Sequence, residues 1–114
     1  MQFALLMFGQ ETDWDAMTAE EREERFTANR EFARALVAAG VEIVYGARLG
    51  RPTVAEGEER AGEGVLELGG LWVVEVPSEQ EALGWAARMP IGPAGRVEVR
   101  RCERGPRRPA GEGN

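Results

Sequence analysis

Two segments of this chain are apolar on both faces of a predicted β-strand, and this feature limits the possible folds more than any other. Residues 2–8 have the sequence Q-F-A-L-L-M-F, and residues 71–76 have the sequence L-W-V-V-E-V. Both runs are short and rich in apolar, aromatic or β-branched residues, so they predict central strands. Because side chains alternate along a strand, these two segments need apolar cover on both faces of their sheet.

The remaining patterned segments predict two helices and two further strands. They are a long helix from the Thr18–Glu21 capping box to Gly40, a strand at Val41–Leu49, a helix that Ser78 caps and that runs through Arg88, and a half-solvated strand at Arg96–Cys102. In the long helix, the apolar positions include Phe26, Leu36 and Val37. Gly46 predicts a bulge or a close approach within its strand.

The segments between these elements contain few apolar residues. Residues 9–17 are polar except for Trp14, and residues 50–64 are rich in Gly, Glu and Arg, which predicts a loop or a short irregular hairpin. An additional strand is possible at residues 65–68, before a break at Gly69 and Gly70. Residues 103–114 contain no apolar residue beyond Ala110, so we expect a disordered tail after one domain at residues 1–102.

The order of strands and helices matches the split βαβ pattern of ferredoxin-like α+β domains. Right-handed crossovers would place both helices on the same side of an antiparallel sheet. The opposite face of the sheet would then be apolar and uncovered, and large apolar patches are rare on monomers. The sequence therefore predicts a homodimer in which two sheets pack face to face, since two-fold pairing is the commonest oligomer symmetry.

Composition excludes several classes of function. Twenty acidic and fourteen basic residues give a net charge of −6, which argues against nucleic-acid or anionic-membrane partners. The chain has no apolar run of membrane-spanning length and no signal-peptide pattern, so we expect a cytoplasmic location. It also has no His and only one Cys, Cys102. A disulfide framework or a Cys/His zinc site cannot form within one chain, and no metal or other cofactor is expected.

Several short segments occur together in a recognisable order. They are M-Q-F-A-L-L-M-F-G at the start with Trp14 soon after, M-T-A-E-E-R-E-E-R at 17–25, L-V-A-A-G-V at 36–41, E-L-G-G-L-W-V-V-E-V at 67–76, E-A-L-G-W-A-A-R-M-P at 81–90 and G-R-V-E-V-R at 95–100. Over Met1–Arg101 the chain resembles the YCII-related family, in particular its DGPF-type bacterial branch. The D-G-P-F motif that names the branch is absent, as is the His that YCII-type enzymes use with an acid.

The resemblance implies a dimeric α+β barrel, in which the sheets of two subunits close around internal space. Members of the family are mostly uncharacterised. Relatives in the wider superfamily include cofactor-free isomerases, dehalogenating lyases, cyclases and oxygenases that act on small organic molecules. Because the family His is missing here, its catalytic role is not carried over to any residue of this chain.

Three polar residues are candidates for chemistry. Glu75 lies in the most apolar strand, where burial would raise its pKa and make it a general base; alternatively it lies at the wet end of the strand or pairs with an Arg. Tyr45 and Arg48 end the second strand, where they could orient a carboxylate or enolate. The alternative is that both are amphipathic surface residues.

The tryptophans are candidates for ligand contact. Trp14, predicted to lie in a loop, could close over a pocket, and Trp72 could face either the helices or the interior of the dimer. Trp85 is predicted to pack between helix and sheet. Alternatively, all three belong to the core, where aromatic side chains dominate packing energetics.

Two hypotheses for function follow. In the first, the homodimer binds a small organic molecule in the barrel and catalyses a cofactor-independent isomerisation, cyclisation or elimination with Glu75, Tyr45 and Arg48. In the second, the chain is a non-catalytic accessory or regulatory dimerisation module. The absence of His favours the second hypothesis, whereas a pocket walled by Trp would favour the first.

Overall fold

A four-stranded antiparallel sheet forms the centre of the chain in the computed structural model, which describes residues 1–59 and 64–103. The elements are β1 (Gln2–Gly9), α1 (Glu11–Ala16), α2 (Ala19–Ala38), β2 (Glu42–Arg48), β3 (Glu67–Glu75), α3 (Glu79–Ala86) and β4 (Arg96–Arg101). The strand order is β2-β3-β1-β4, and all neighbours are antiparallel. The predicted α+β class is confirmed, and the arrangement is compatible with a ferredoxin-like fold.

The core lies between the sheet and its helices. It contains Phe3, Leu5, Phe32, Leu36, Val74, Val76, Ala82, Ala86 and Met89, all buried. Phe3 and Leu5 come from β1, and their cross-strand partners Val74 and Trp72 come from β3. Both α2 and α3 contribute buried residues to this same cluster. One face of the central strands is therefore covered by helices, as the crossover rule predicts.

Side-chain caps begin the two longer helices where the sequence predicts them. The Thr18 hydroxyl accepts from the Glu21 amide at 3.1 Å, and the Glu21 carboxylate accepts from the Thr18 amide at 3.1 Å. The Ser78 hydroxyl accepts from the Glu81 amide at 3.2 Å. Gly40 follows the end of α2 with a φ of 77°, a conformation that glycine adopts without strain.

Trp14 was predicted to lie in a loop, and that prediction is wrong, because residues 11–16 form the short helix α1. The 6 residues of α1 are too few to show a helical pattern in the sequence, and Gln10 provides no side-chain cap. Two acidic residues in the first turn, Glu11 and Asp13, favour the positive end of the helix dipole. The guanidinium of Arg22 also binds carbonyl oxygens at the end of α1.

The predicted break at Gly69 and Gly70 is also corrected, since β3 is continuous from Glu67 to Glu75. Met7 pairs with Gly70 and Phe8 pairs with Leu68, so Gly69 is an extra residue that the sheet absorbs as a bulge. Within the described parts of residues 50–66, no additional strand is assigned. The rest of that stretch, residues 60–63, and nearly all of the predicted tail, residues 104–114, lie outside the described residues.

Val37 was assigned to the apolar face of α2, but its side chain is 67% exposed. Phe32 and Leu36, four residues apart, face the core, and Val37 is turned about 100° further around the helix.

In the part of the chain that the structure describes, no helix is long and apolar enough to span a bilayer.

Gly46 is a site of close approach, one of the two readings that its position in β2 allows. A Cβ atom there would lie 2.5 Å from two ring carbons of Trp72. The bulge in β2 falls earlier in the strand, between Ile43 and Tyr45. The Trp72 ring is also packed against Phe32, with ring centroids 5.9 Å apart. The indole therefore occupies the space that a side chain at residue 46 would need.

Replacing this glycine should destabilise the fold. Gly46→Ala forces the Trp72 ring away from its packed position, and we expect a loss of about 1–3 kcal/mol in the free energy of unfolding. Gly84→Ala is the matched control, since Gly84 lies in α3 with open space around it, and it should gain about 0.5–1 kcal/mol. Urea unfolding of both variants measures the difference. Equal stabilities would contradict this packing.

Candidate functional site

A pocket of about 330 Å³ lies at one end of the sheet, on the side that the helices cover. Because the strands are antiparallel, the ends of β1 and β2 meet the starts of β3 and β4 at this edge. Four aromatic residues line the pocket, namely Phe8 from β1, Trp14 from α1, Phe26 from α2 and Trp72 from β3, together with Met7 from β1. The pocket begins where the packed core ends, since Trp72 also contacts the core cluster.

Trp14 and Arg48 form a stacked pair in the wall of the pocket. The guanidinium carbon of Arg48 lies 3.6 Å from the centroid of the Trp14 ring and 5.6 Å from that of Phe26. The two aromatic rings meet edge to face, with centroids 5.6 Å apart and planes at 65°. A cation over the face of an indole is attracted by the ring quadrupole. This contact connects α1, the end of β2 and the first half of α2.

Polar contacts hold α1 in place over the pocket. The Arg22 Nε and Nη2 atoms donate to the Trp14 carbonyl oxygen at 3.2 and 3.0 Å, and the Arg22 guanidinium carbon lies 5.1 Å from the Trp14 ring centroid. Arg51, in the loop after β2, pairs with Asp15 and with Glu11. The hydrogen bond that the Arg51 guanidinium donates to Asp15, and then the charges of Asp15 and Glu11, raise the pKa of that guanidinium. These exposed pairs contribute little to stability, but they offset the charge of Glu11 at the pocket.

Two cations from different elements line the pocket, Arg25 on α2 and Arg48 at the end of β2. Among residues 1–59 and 64–103, neither makes an ion pair. Asn29 lines the pocket one turn after Arg25, and its amide nitrogen donates to the Arg25 carbonyl at 3.1 Å. The two guanidiniums can therefore donate hydrogen bonds to an anionic group that enters the pocket.

Three carboxylates also line the pocket: Glu11 and Asp13 from α1 and Glu67 at the start of β3. A carboxylate beside a bound molecule can take or give a proton, so these residues are chemically able to act as general acids or bases. They do not form a metal site, because the described residues contain no group of three His, Cys, Asp or Glu placed to hold a metal ion.

Of the five residues proposed from the sequence, three come together at this pocket: Trp14, Trp72 and Arg48. Tyr45 lies on the opposite face of the sheet, where it pairs with Val73 and is 59% exposed. Within a subunit, the structure therefore does not bring Tyr45 and Arg48 together, because residues three apart in a strand point to opposite faces.

Glu75 is also on the face of the sheet away from the helices. Its carboxylate accepts from the amino group of Met1 at 2.6 Å, and its side chain is 44% exposed. Glu75 lies at the end of β3, where its cross-strand neighbours are Gln2 and Glu42. This matches the alternative of a paired carboxylate at the wet end of the strand, with an ammonium group in place of an Arg.

Arg25, Asn29 and Glu67 line the pocket although none of them was predicted from the sequence to do so, and Phe26 was predicted to belong to the core. Arg25 and Asn29 are four residues apart and so share one helix face next to Phe26. That combination, an Arg and an Asn beside an aromatic residue near the start of an amphipathic helix, is the signal that could have found them. Glu67 had no such signal, because only the register of β3 brings it to the pocket edge.

Comparison with known proteins adds a family relationship. The family model described as the YCII-related domain matches residues 1–104. No curated protein matches the chain.

The stacking of Arg48 on Trp14 predicts an energetic coupling between the two side chains. In a double-mutant cycle of Trp14→Leu and Arg48→Met, we expect a coupling of about 0.5–1 kcal/mol in the free energy of unfolding, the range for partly exposed cation–π pairs. The matched cycle of Trp14→Leu with Arg34→Met, an exposed Arg of α2, should show additivity. Additivity in both cycles would show that the stacked pair does not form in solution.

Proposed function

The chain belongs to the YCII-related family, and on that premise we propose that it is a homodimeric protein that binds a small organic molecule in the pocket beside Trp14. The observation that carries the proposal is the pocket itself. Its volume of about 330 Å³ falls at the lower end of the range for small-molecule sites. Aromatic walls combined with a few converging polar groups are the usual composition of such sites.

The proposed chemistry is a cofactor-independent isomerisation, cyclisation or elimination. Such reactions move a proton next to a carbonyl or carboxylate and build negative charge on oxygen. Arg25 and Arg48 would stabilise that charge, and a carboxylate of Glu11, Asp13 or Glu67 would move the proton. The chain has no His for this role. Proton transfer would therefore depend on a carboxylate beside the ligand.

The proposed homodimer is supported by the uncovered face of the sheet. Ala4 and Leu6 of β1 alternate with the buried Phe3 and Leu5, and their cross-strand partners on the same face are Val73 and Leu71. All four side chains on this face are only partly buried in the single subunit. Packing the same face of a second copy against them would remove this apolar surface from water.

Charged residues surround this apolar centre. Arg96, Glu98 and Arg100 of β4 lie on the same face as Leu6, and an ion pair joins Arg96 to Glu98 at 2.7 Å. An apolar centre with a polar rim is the usual composition of a protein interface. In the proposed dimer, Tyr45 and Glu75 would face the space between the two sheets. They are therefore candidates for a contact between subunits or for a second ligand position.

The second candidate function, a non-catalytic accessory or regulatory dimerisation module, is favoured by the absence of His and by the separation of the two faces. The uncovered sheet face and the pocket lie on opposite sides of β1 and β3, so pairing does not require an occupied pocket. A dimer that binds no small molecule would support this second candidate.

The dimer proposal predicts that a charge at the centre of the uncovered face produces monomers. Leu6→Arg is suited to this test because Glu98 lies opposite residue 6 and can pair with the new guanidinium in the single subunit. In a two-fold interface, the same substitution brings two unpaired cations together. Size-exclusion chromatography with light scattering should give twice the subunit mass for the wild type and one subunit mass for Leu6→Arg.

Val37→Arg is the matched control, because it places the same charge at an exposed apolar position on the outer side of α2. It should remain dimeric. A monomeric wild type at micromolar concentration, or equal masses for the two variants, would contradict the proposed interface.

The binding proposal predicts saturable binding of a small ring compound with an affinity that depends on Trp14. Isothermal titration calorimetry of a panel of such compounds should find a binder, and Trp14→Ala should weaken its binding by roughly tenfold because one aromatic wall is removed. Leu83→Ala, an exposed position on α3, should leave the affinity unchanged. A panel without any binder would contradict the proposal and favour the dimerisation module.

A further inference from the structure

We infer that the pocket is selective for a planar carboxylate monoanion, with Arg48 and Arg25 as the charged partners of its carboxylate; this inference rests on the proposed binding function. The alternatives are a neutral ring compound, a phosphate ester and a cation. The two guanidiniums, the aromatic walls and the carboxylates around the pocket together favour the carboxylate monoanion.

Arg48 is held in an orientation suited to carboxylate recognition. Its guanidinium carbon is in van der Waals contact with the face of Trp14, at 3.6 Å from the ring centroid, and Phe26 borders it at 5.6 Å. A guanidinium that rests on an aromatic face keeps its N–H donors at the edge of its own plane, where they are free to form paired hydrogen bonds. The fork of a guanidinium matches the two oxygens of a carboxylate.

Arg25 provides a second cation from another wall of the pocket. It extends from α2 toward the turn before β4, where its Nη1 atom is 3.9 Å from the position that a Cβ at Gly92 would occupy. Asn29 lies beside it and is oriented by its hydrogen bond to the Arg25 carbonyl. The ligand would therefore meet cations from two independent elements, and a neutral ligand would leave both of them without an anionic partner among the described residues.

The aromatic walls favour a flat ligand. Trp14, Phe26 and Trp72 come from three different elements and line the same pocket. Planar rings stack on such side chains or meet them edge to face, whereas a saturated ring has no π-face to contribute. The volume of about 330 Å³ accommodates one ring or a fused pair of rings.

The carboxylates around the pocket disfavour a second negative charge. Arg51 offsets Glu11, but Asp13 and Glu67 make no ion pair among the described residues. The whole chain carries a net charge of −6, which further disfavours dianions such as a phosphate monoester. A single carboxylate next to Arg48 and Arg25 satisfies the cations without adding charge beside Asp13 and Glu67.

Matched ligands test this selectivity on the wild-type protein. Each set has a carboxylate, its neutral amide and its phosphate ester on the same flat ring system: benzoate, benzamide and phenyl phosphate, and the corresponding 2-naphthyl compounds. By calorimetry near neutral pH, the carboxylate should bind at least about tenfold more tightly than the amide, since charge-assisted hydrogen bonds are the stronger ones. It should also bind more tightly than the phosphate ester.

Two variants assign the effect to the pocket. Arg48→Met should reduce the carboxylate-to-amide ratio toward one, while Arg34→Met, an exposed Arg on the same long helix as Arg25, should leave the ratio unchanged. The primary comparison uses wild-type protein, so it stands even if Arg48→Met is unstable.

Each outcome separates the inference from the proposed function. Equal binding of amide and carboxylate would overturn the inference and leave a small-molecule site in place. Tighter binding of the phosphate ester would overturn the preference for a monoanion. No binding of any compound would overturn the inference together with the proposed binding function.

Discussion

The fold depends on the burial of one face of the β1–β3 pair against the helices. Phe3, Leu5 and Val74 are almost completely inaccessible to solvent, as is Leu36 of α2. Burying each such side chain stabilises the fold by about 1.5–3 kcal/mol, so this layer decides which face of each strand the helices cover. The same alternation turns Leu6, Leu71 and Val73 to the other face. The uncovered face and the helix-covered pocket are thus two consequences of one packing arrangement.

The pocket occurs where that packing stops. At the end of the sheet, Gly46 and Gly69 line the pocket next to Met7 and Trp72 and contribute no side chains to fill it. The missing Cβ at Gly46 leaves room for the Trp72 ring, which forms one wall. Trp14 of α1 forms another wall, and Arg48 stacks on it. The pocket is therefore lined by residues from five elements, namely β1, α1, α2, β2 and β3.

The sequence predicted the architecture well because its signals there are local. The capping box at Thr18 and Glu21, the cap at Ser78 and the two-sided apolar strands each depend on nearby residues, and their order restricts the topology to few alternatives. Predictions that depended on tertiary structure were less successful. The helix α1 is held by Arg22 and by the Arg51 pairs, which no window of the sequence contains. The bulge at Gly69 is defined by its partners in β1.

The candidate site was predictable only in part for the same reason. Arg48 and Trp14 were identified by residue type. The face of the sheet on which Arg48 lies depends on the alternation of side chains along β2, and the position of Trp14 depends on α1. The same alternation separates Tyr45 from Arg48, although the two are close in sequence. Arg25 and Glu67 reach the pocket only because α2 and β3 begin near the same edge of the sheet. The chemistry of a residue can be inferred from its type. Which residues lie next to it at a site can be known only from the register of the strands.

The central claim is that a ligand enters the pocket between Trp14 and Trp72. The chain has three tryptophans, and their indole N–H resonances in a ¹⁵N-labelled sample report on three distinct places. Trp14 and Trp72 line the pocket, while Trp85 packs against Phe32 and Arg88. Titration with a flat aromatic carboxylate should shift the Trp14 and Trp72 signals together and leave Trp85 unchanged. A shift confined to Trp85, or no shift at saturating concentration, would contradict the account.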